Sequence, residues 1–305
     1  ITGKLPVVKL FYEEEHVMIT FTETVELYYG MLYIVLGIAV LALSKLAVNL
    51  MTPYKINKEL IHADNHALGV TLAGYYAGVV IIFLGSVVGG SSAKTATIES
   101  LLVEAGIDLF YAVFGIIALN LCRKVVDLAI LYKFSTVKEI ITDRNVGTGA
   151  VEAGAMIATA LMIAGAVNGE GSFLSTVVFF FLGMGLLILF SHFHALLTPY
   201  DDHDEIEKDN VAAGAYLGFS LVALGIIVLK ATVGDFISWT YNLSWFAGYA
   251  VLGFLGLAVL QKMILIVFLP GANIEEEISR DRNMNIAWIG GTLSVGIAAF
   301  IFFML

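Results

Sequence analysis

Apolar residues along this chain fall into long blocks separated by short polar stretches. Read with a window of about 19 residues, eight blocks stand out, near 27–50, 67–89, 108–131, 146–168, 173–197, 211–233, 245–269 and 284–305. Each reaches the ~20 residues with which a helix crosses about 30 Å of hydrocarbon. The pattern predicts an all-α polytopic membrane protein of eight transmembrane helices. Residues 1–26, which include "KLPVVKLFYEEEHVMITF", are too mixed in polarity to span. They read as an extended or interfacial lead-in on the outward side. No signal peptide is visible, and the chain opens on Ile1 rather than Met, which leaves a preceding segment open.

Composition agrees with lipid as the solvent. The chain is 59% hydrophobic and 14% charged, where a soluble domain carries about 25% charged residues; its mean hydropathy is +0.90. A single cysteine, Cys122, excludes an intramolecular disulfide framework and a cysteine metal site, and reads as a small apolar filler of the third span. The net charge of −10 argues against nucleic acid and against a polybasic lipid anchor. Of the sixteen Lys and Arg, only Lys4, Lys9, Lys94 and Lys230 fall outside the ends and loops joining spans 1–2, 3–4, 5–6 and 7–8. By the positive-inside rule those four loops face the cytoplasm and both termini face outward.

The same four loops repeat one another. Aligned on their asparagines they read "ELIHADN" to Asn65, "EIITDRN" to Asn145, "EIEKDN" to Asn210 and "EISRDRN" to Asn283. Each carries a Glu followed by Leu or Ile, a spacer, an Asp and the Asn: Glu59/Asp64, Glu139/Asp143, Glu205/Asp209 and Glu277/Asp281. Four residues beyond the Asn stands Gly69, Gly149, Gly214 or Ala287, and eight beyond it Ala73, Ala153, Gly218 or Gly291. Every odd span carries an aromatic one turn before a glycine: Tyr33/Gly37, Tyr111/Gly115, Phe179/Gly183 and Tyr249/Gly253. The chain is thus four copies of one hairpin. Copies 1 and 3 share "TPY" and Asp-Asn, while copies 2 and 4 share Asp-Arg-Asn and a lysine, Lys124 or Lys262. A four-span unit has therefore been duplicated, about 27–168 and then 173–305. Units with an even number of spans insert the same way up, which predicts a pseudo-twofold about the membrane normal.

Most of this pattern is architecture. An Asn or Asp before an apolar run suits a helix N-cap, where its side-chain oxygen satisfies orphan N–H groups. Small residues four apart let helix backbones approach in lipid. Pro53 and Pro199 end the preceding helices. Two sharper readings stand beside that one. Arg144 and Arg282 are placed to pair with Glu139 and Glu277, either as solvated ion pairs or as members of a ring of Asp, Arg and Glu around a cytoplasmic mouth. Glu152 lies two turns inside a span, in the one copy with an acid there, and intramembrane ionisable groups are functional hypotheses by default. It reads either as a proton-relay carboxyl or as a helix tie paired with Lys124 or Arg123. Lys124, Lys262 and Asp127 lie within reach of the interface, to which Lys snorkels; Asp108 and Asp235 are expected to be solvated near the outer ends. His192, His194 and His203 among acids resemble a metal cluster, but two His at i,i+2 on a helix point apart, so no metal is expected. No nucleotide, nucleophile or zinc motif is present, and neither an enzyme nor a cofactor is expected.

The central glycine of the first helix and the "DN-x-A-x-G" opening of the second, clearest in "KDNVAAGAYLGFSLVALGIIV" at 208–228, resemble the YjfL-like bacterial inner-membrane proteins, a family of unknown function. The likeness covers about 27–305, with copies 2 and 4 departing by their inserted Arg and copy 4 by Ala287. It implies a bacterial inner-membrane, multi-pass protein near envelope-stress functions, with no catalytic residues to carry over. The expected role is a scaffold-like subunit whose acidic loops dock a soluble or membrane protein partner. A proton- or cation-coupled channel or transporter using Glu152 and the Asp/Asn motifs is the alternative. Membrane lipid is a certain neighbour, and a homo-oligomer is compatible with the small-residue faces.

Overall fold

The computed structural model describes residues 7–89, 98–168, 171–198 and 200–305, with side chains described from Tyr28 onward. All eight spans form: α1 (Val7–Met51), α2 (His66–Gly89), α3 (Ile98–Val125), α4 (Val146–Val167), α5 (Phe173–Leu197), α6 (Val211–Thr232), α7 (Trp239–Phe268) and α8 (Met284–Met304). No strand occurs among the described residues. One expectation changes: the lead-in is not extended. Helix runs from Val7 straight into the first span, because Leu, Glu and Met are good helix formers and no Gly or Pro interrupts them there. Residues 1–6 lie outside the described ones.

Each motif loop is a wide helical turn followed by a cap. The N–H of Asn65, Asn145 and Asn283 closes back onto the carbonyl of Glu59, Glu139 and Glu277, six residues earlier, and that of Asn210 onto Glu205, five earlier. The residue just before each Asn sits in the left-handed region: Asp64, Arg144, Asp209 and Arg282, with φ of 50°, 58°, 60° and 49°. That conformation is the one with which helices are commonly terminated. It also explains the inserted arginines, since Arg144 and Arg282 occupy the left-handed place that Asp64 and Asp209 take in the other copies. The Asn then turns extended and starts the next span. Asn65, Asn145 and Asn210 accept from the N–H three residues on, and Asn283 from Asn285.

The even helices form one row, α2–α4–α6–α8, each packed on the next. Their contacts are nearly backbone to backbone. A Cβ added to Gly74 would meet Ala153, one on Gly154 would meet Gly218, and one on Gly214 would meet Gly147. This is the close approach that small residues permit where lipid supplies no hydrophobic drive between helices. The odd helices sit outside the row: α3 against α2 and α4, α5 against α4 and α6, α7 against α6 and α8. The first rests on α2 and α3. Burial tracks position in the row. In their most apolar stretches α4 and α6 are 72% and 78% buried, whereas the end members α2 and α8 are 56% and 39% buried. The row is open, because α2 and α8 do not pack together. The expected ring of four motifs around a mouth therefore does not form; the four loops follow one another along an edge.

Candidate functional site

A stripe on α3 and the helical turn Val126–Ile130 that continues it repeats at helical spacing: Asn120, Arg123, Lys124 and Asp127. It faces the loop after Pro53 and the second turn of α4. There Arg123 Nη2 donates to the Tyr54 hydroxyl at 2.6 Å. Its Nε lies 3.5 Å from Glu152 Oε2, with the two side chains 12% and 1% exposed. Of the two candidate partners for Glu152, the structure uses Arg123. At that distance the contact is ionic rather than a good hydrogen bond, and Arg123 Nε and Glu152 Oε2 both lack a hydrogen-bond partner among the described residues. The pair borders a cavity of about 250 Å³, which also reaches Asn120, Lys124, Asp127 and Thr136. Beneath it, Asn120 Nδ2 donates to the Tyr75 hydroxyl at 3.2 Å, and that hydroxyl donates to the Ser44 carbonyl at 3.1 Å. A buried carboxylate and guanidinium facing a small cavity can hold a compact polar group or exchange a proton.

The other intramembrane ionisable residues have different roles. Asp127 Oδ1 accepts from the N–H and hydroxyl of Thr136, at 2.7 and 3.0 Å, and so fixes the turn into the second motif loop. Lys124 is exposed at the cavity rim. The Lys262 side chain lies outside the described residues. Asp108, expected in solvent, is buried because the Tyr33 hydroxyl donates to it at 2.8 Å; Asp235 is exposed as expected.

The motif glutamates do not pair with the neighbouring arginines. Glu139, Glu205 and Glu277 instead accept from the side-chain amides of Asn145, Asn210 and Asn283 at 2.9, 2.8 and 2.7 Å. The left-handed backbone at Arg144 and Arg282 leaves both residues exposed. Burial pushes the Glu139 carboxyl above its ordinary range, with Asn145 pulling the other way. Asp143 bonds Lys138 at 2.9 Å, while Asp64 and Asp209 stay exposed. Asp281 is held below the ordinary carboxylate range by its bond to Arg280.

The asparagine amides do something the sequence did not disclose. Asn65 Nδ2 donates to the Ile140 carbonyl at 2.8 Å, Asn145 Nδ2 to that of Ile206, and Asn210 Nδ2 to that of Ile278 at 2.8 Å. Each acceptor is the Ile that follows the Glu in the next copy. Every motif is thus tied to its successor. The histidines go separate ways: His194 meets Asp202 at 3.0 Å, His203 meets the Ile130 carbonyl at 2.8 Å, and exposed His192 lies beside Tyr132.

Tyr54, Tyr75 and Asn120 were not singled out by sequence reasoning. The "TPY" shared by copies 1 and 3 was the available signal for the first. In the second unit the place of Arg123 is taken by Gln261, which donates to Ser294 at 2.7 Å and Ser220 at 3.4 Å. Gly290 stands where Glu152 does, and the Tyr200 hydroxyl is buried without a hydrogen-bond partner among the described residues.

Known proteins complete this description. A family model described as Domain of Unknown Function (DUF350) matches the chain twice in tandem, over residues 22–167 and 170–305. A UPF0719 transmembrane protein of Aquifex aeolicus (strain VF5) is 25% identical over 186 residues, covering 60% of this chain and 64% of that protein. The chain thus spans a little under two thirds of the length of that curated relative. No solved structure matches.

Proposed function

We propose that this chain, which belongs to the DUF350 family and is an integral multi-pass membrane protein, serves as a non-enzymatic scaffold subunit whose motif-loop end docks a protein partner. The setting we propose is a bacterial inner membrane, with the loops cytoplasmic and the termini outward. The observation that carries the reading is the row of even helices in near backbone contact. A bundle packed that way is stiff and dry along its axis, which suits holding partners in place. A group of exposed acids lies along the third and fourth motif loops. With Glu139, Glu205 and Glu277 engaged by asparagines, exposed Asp204, Glu207, Asp209, Glu275, Glu276 and Asp281 line the loops. A basic surface on the partner is the complement. The test places a photo-crosslinking side chain at Glu207 and at Glu276 in native membranes. A discrete adduct that disappears when Asp204, Glu207 and Asp209 are neutralised together supports docking. Adducts only to lipid, or adducts indifferent to the charges, remove it.

A second reading rests on a different observation, the unpartnered Glu152 and Arg123 atoms at the cavity. It makes the first unit a proton- or cation-binding element. Flux across proteoliposomes that falls at least tenfold in Glu152→Gln would put transport ahead of docking. Tight liposomes under both a voltage and a pH gradient would end this second reading.

A further inference from the structure

Three contacts recur wherever one repeat meets the next. First, the Asn amide bonds the carbonyl after the next copy's Glu, in the pairs Asn65–Ile140, Asn145–Ile206 and Asn210–Ile278. Second, the residue seventeen past each Asn lies against the central glycine of the next odd helix: Ile82 on Gly115, Met162 on Gly183 and Ile227 on Gly253. Third, the small residue eight past each Asn packs on the preceding even helix: Ala153 on Gly74, Gly218 on Gly154 and Gly291 on Phe219.

Among the described residues, the outer faces of the first and last even helices leave this pattern unmatched. At the trailing end, the Asn283 amide bonds only its own Glu277 among the described residues, and Phe300, in the place of Ile82, Met162 and Ile227, is 67% exposed. Thr292, in the place of Gly74 and Gly154, is exposed too. At the leading end, Ala73 is exposed, and a Cβ on Gly69 would meet nothing, although its counterparts Gly149 and Gly214 press on the preceding helix. An apolar groove of about 280 Å³ runs between α1 and α2, lined by Gly37, Tyr33, Val80 and Leu84 among others. In the next copy the corresponding space, between α3 and α4, is where α2 lies.

We infer that copies of this chain associate head to tail in the membrane, α8 of one copy seating in the groove between α1 and α2 of the next. The occupant is a second copy, because the contact continues an interface the chain already builds three times. Asn283 then donates to the Leu60 carbonyl, the counterpart of those of Ile140, Ile206 and Ile278. Phe300 reaches Gly37 beside Phe83, which already lies against that glycine, and Ala73 packs beside Thr292. Trp288 stands where Ala150 and Ala215 stand and lies against Phe219, so the seam between copies is wider than those within. Such a contact is heterologous: different surfaces meet, and it generates a ring if the rotation closes and a continuing row if it does not. The inference stands on the repeat geometry and is independent of the docking reading.

The experiment uses oxidative cross-linking of the full chain in native membranes, on a Cys122→Ala background. Thr159→Cys with the native Cys122 retained, a pair whose side chains already meet at 3.2 Å within one chain, verifies that the oxidant reaches the bilayer interior. Gly69→Cys with Asn285→Cys on the same chain should give a ladder of multimers. The two substitutions on separately tagged chains, mixed, should give only the mixed dimer. Val80→Trp, at an exposed position lining the groove, added to the double variant, should cut the ladder at least tenfold while leaving the melting temperature unchanged; if it unfolds the chain, the mixing result decides. Dimers of Gly69→Cys with itself would mean a two-fold contact and overturn the inference. So would an absence of intermolecular cross-links together with a single-chain mass in nanodiscs, which would leave lipid covering both faces.

Discussion

The two units build the same helical junction from different chemistry. Where α3 meets α4 the first unit buries a guanidinium, a carboxylate and a phenol. Where α7 meets α8 the second uses Gln261, Ser294 and a glycine. The second junction holds together without a buried Arg–Glu pair at those two places. Ionic groups removed from water cost more than a neutral hydrogen-bonded trio, and a buried ion pair is weak evidence of stability. The charges of the first unit are therefore better explained by something other than holding helices together.

The largest effect is expected from splitting that pair. Arg123→Gln or Glu152→Gln alone leaves an uncompensated buried charge and should cost about 3–5 kcal/mol. Arg123→Gln with Glu152→Gln, which leaves both places uncharged as Gln261 and Gly290 are in the second unit, should recover most of it. Reversible unfolding in mixed micelles measures the coupling; singles as mild as the double would erase the distinction between the units. Tyrosines give the next contrast. Tyr54→Phe removes the hydroxyl that accepts from Arg123 and should cost about 1.5–3 kcal/mol, in the range of hydrogen bonds to charged groups. Tyr200→Phe removes a buried hydroxyl without a hydrogen-bond partner among the described residues, held protonated by burial well above the ordinary tyrosine range. It should be neutral or slightly stabilising by the same assay. The smallest effect concerns pH. Burial raises the Glu139 carboxyl above 4.5, so the folded state holds that proton more tightly than the unfolded one. Stability then falls as pH rises from 4.5 through the raised value. Glu139→Gln should flatten that slope, seen as melting temperatures at pH 4 and pH 7 that converge relative to the parent.

Much of the fold was legible because its determinants are local. Some twenty apolar residues in line mean a span, and an asparagine ahead of them means a cap. The four-copy register placed Gly149, Gly214 and the asparagines correctly before any contact was known. What stayed hidden depends on azimuth, the direction a side chain takes around its helix once neighbours are fixed. Glu139 was assigned to Arg144 by proximity in sequence, but the left-handed turn aims Arg144 outward and leaves the carboxylate to Asn145. Asp108 was placed in solvent because a single acid near a helix end usually is; Tyr33, distant in sequence, covers it. Arg123 was one of two candidates for Glu152, and only the packing of α3 on α4 could choose. The helix of the lead-in was missed for another reason, since β-branched and charged residues dilute a spanning signal without preventing a helix.

The asparagine that reaches into the following loop also sets a timetable. A ribosome delivers these hairpins one after another, and the amides of Asn65, Asn145 and Asn210 acquire their acceptors in the following loop only when that loop has been made. Hairpins already released into the bilayer therefore wait, half-latched, for their successors. Assembly follows the order of synthesis, and adding or deleting one whole hairpin changes the length of the row while leaving every remaining latch intact.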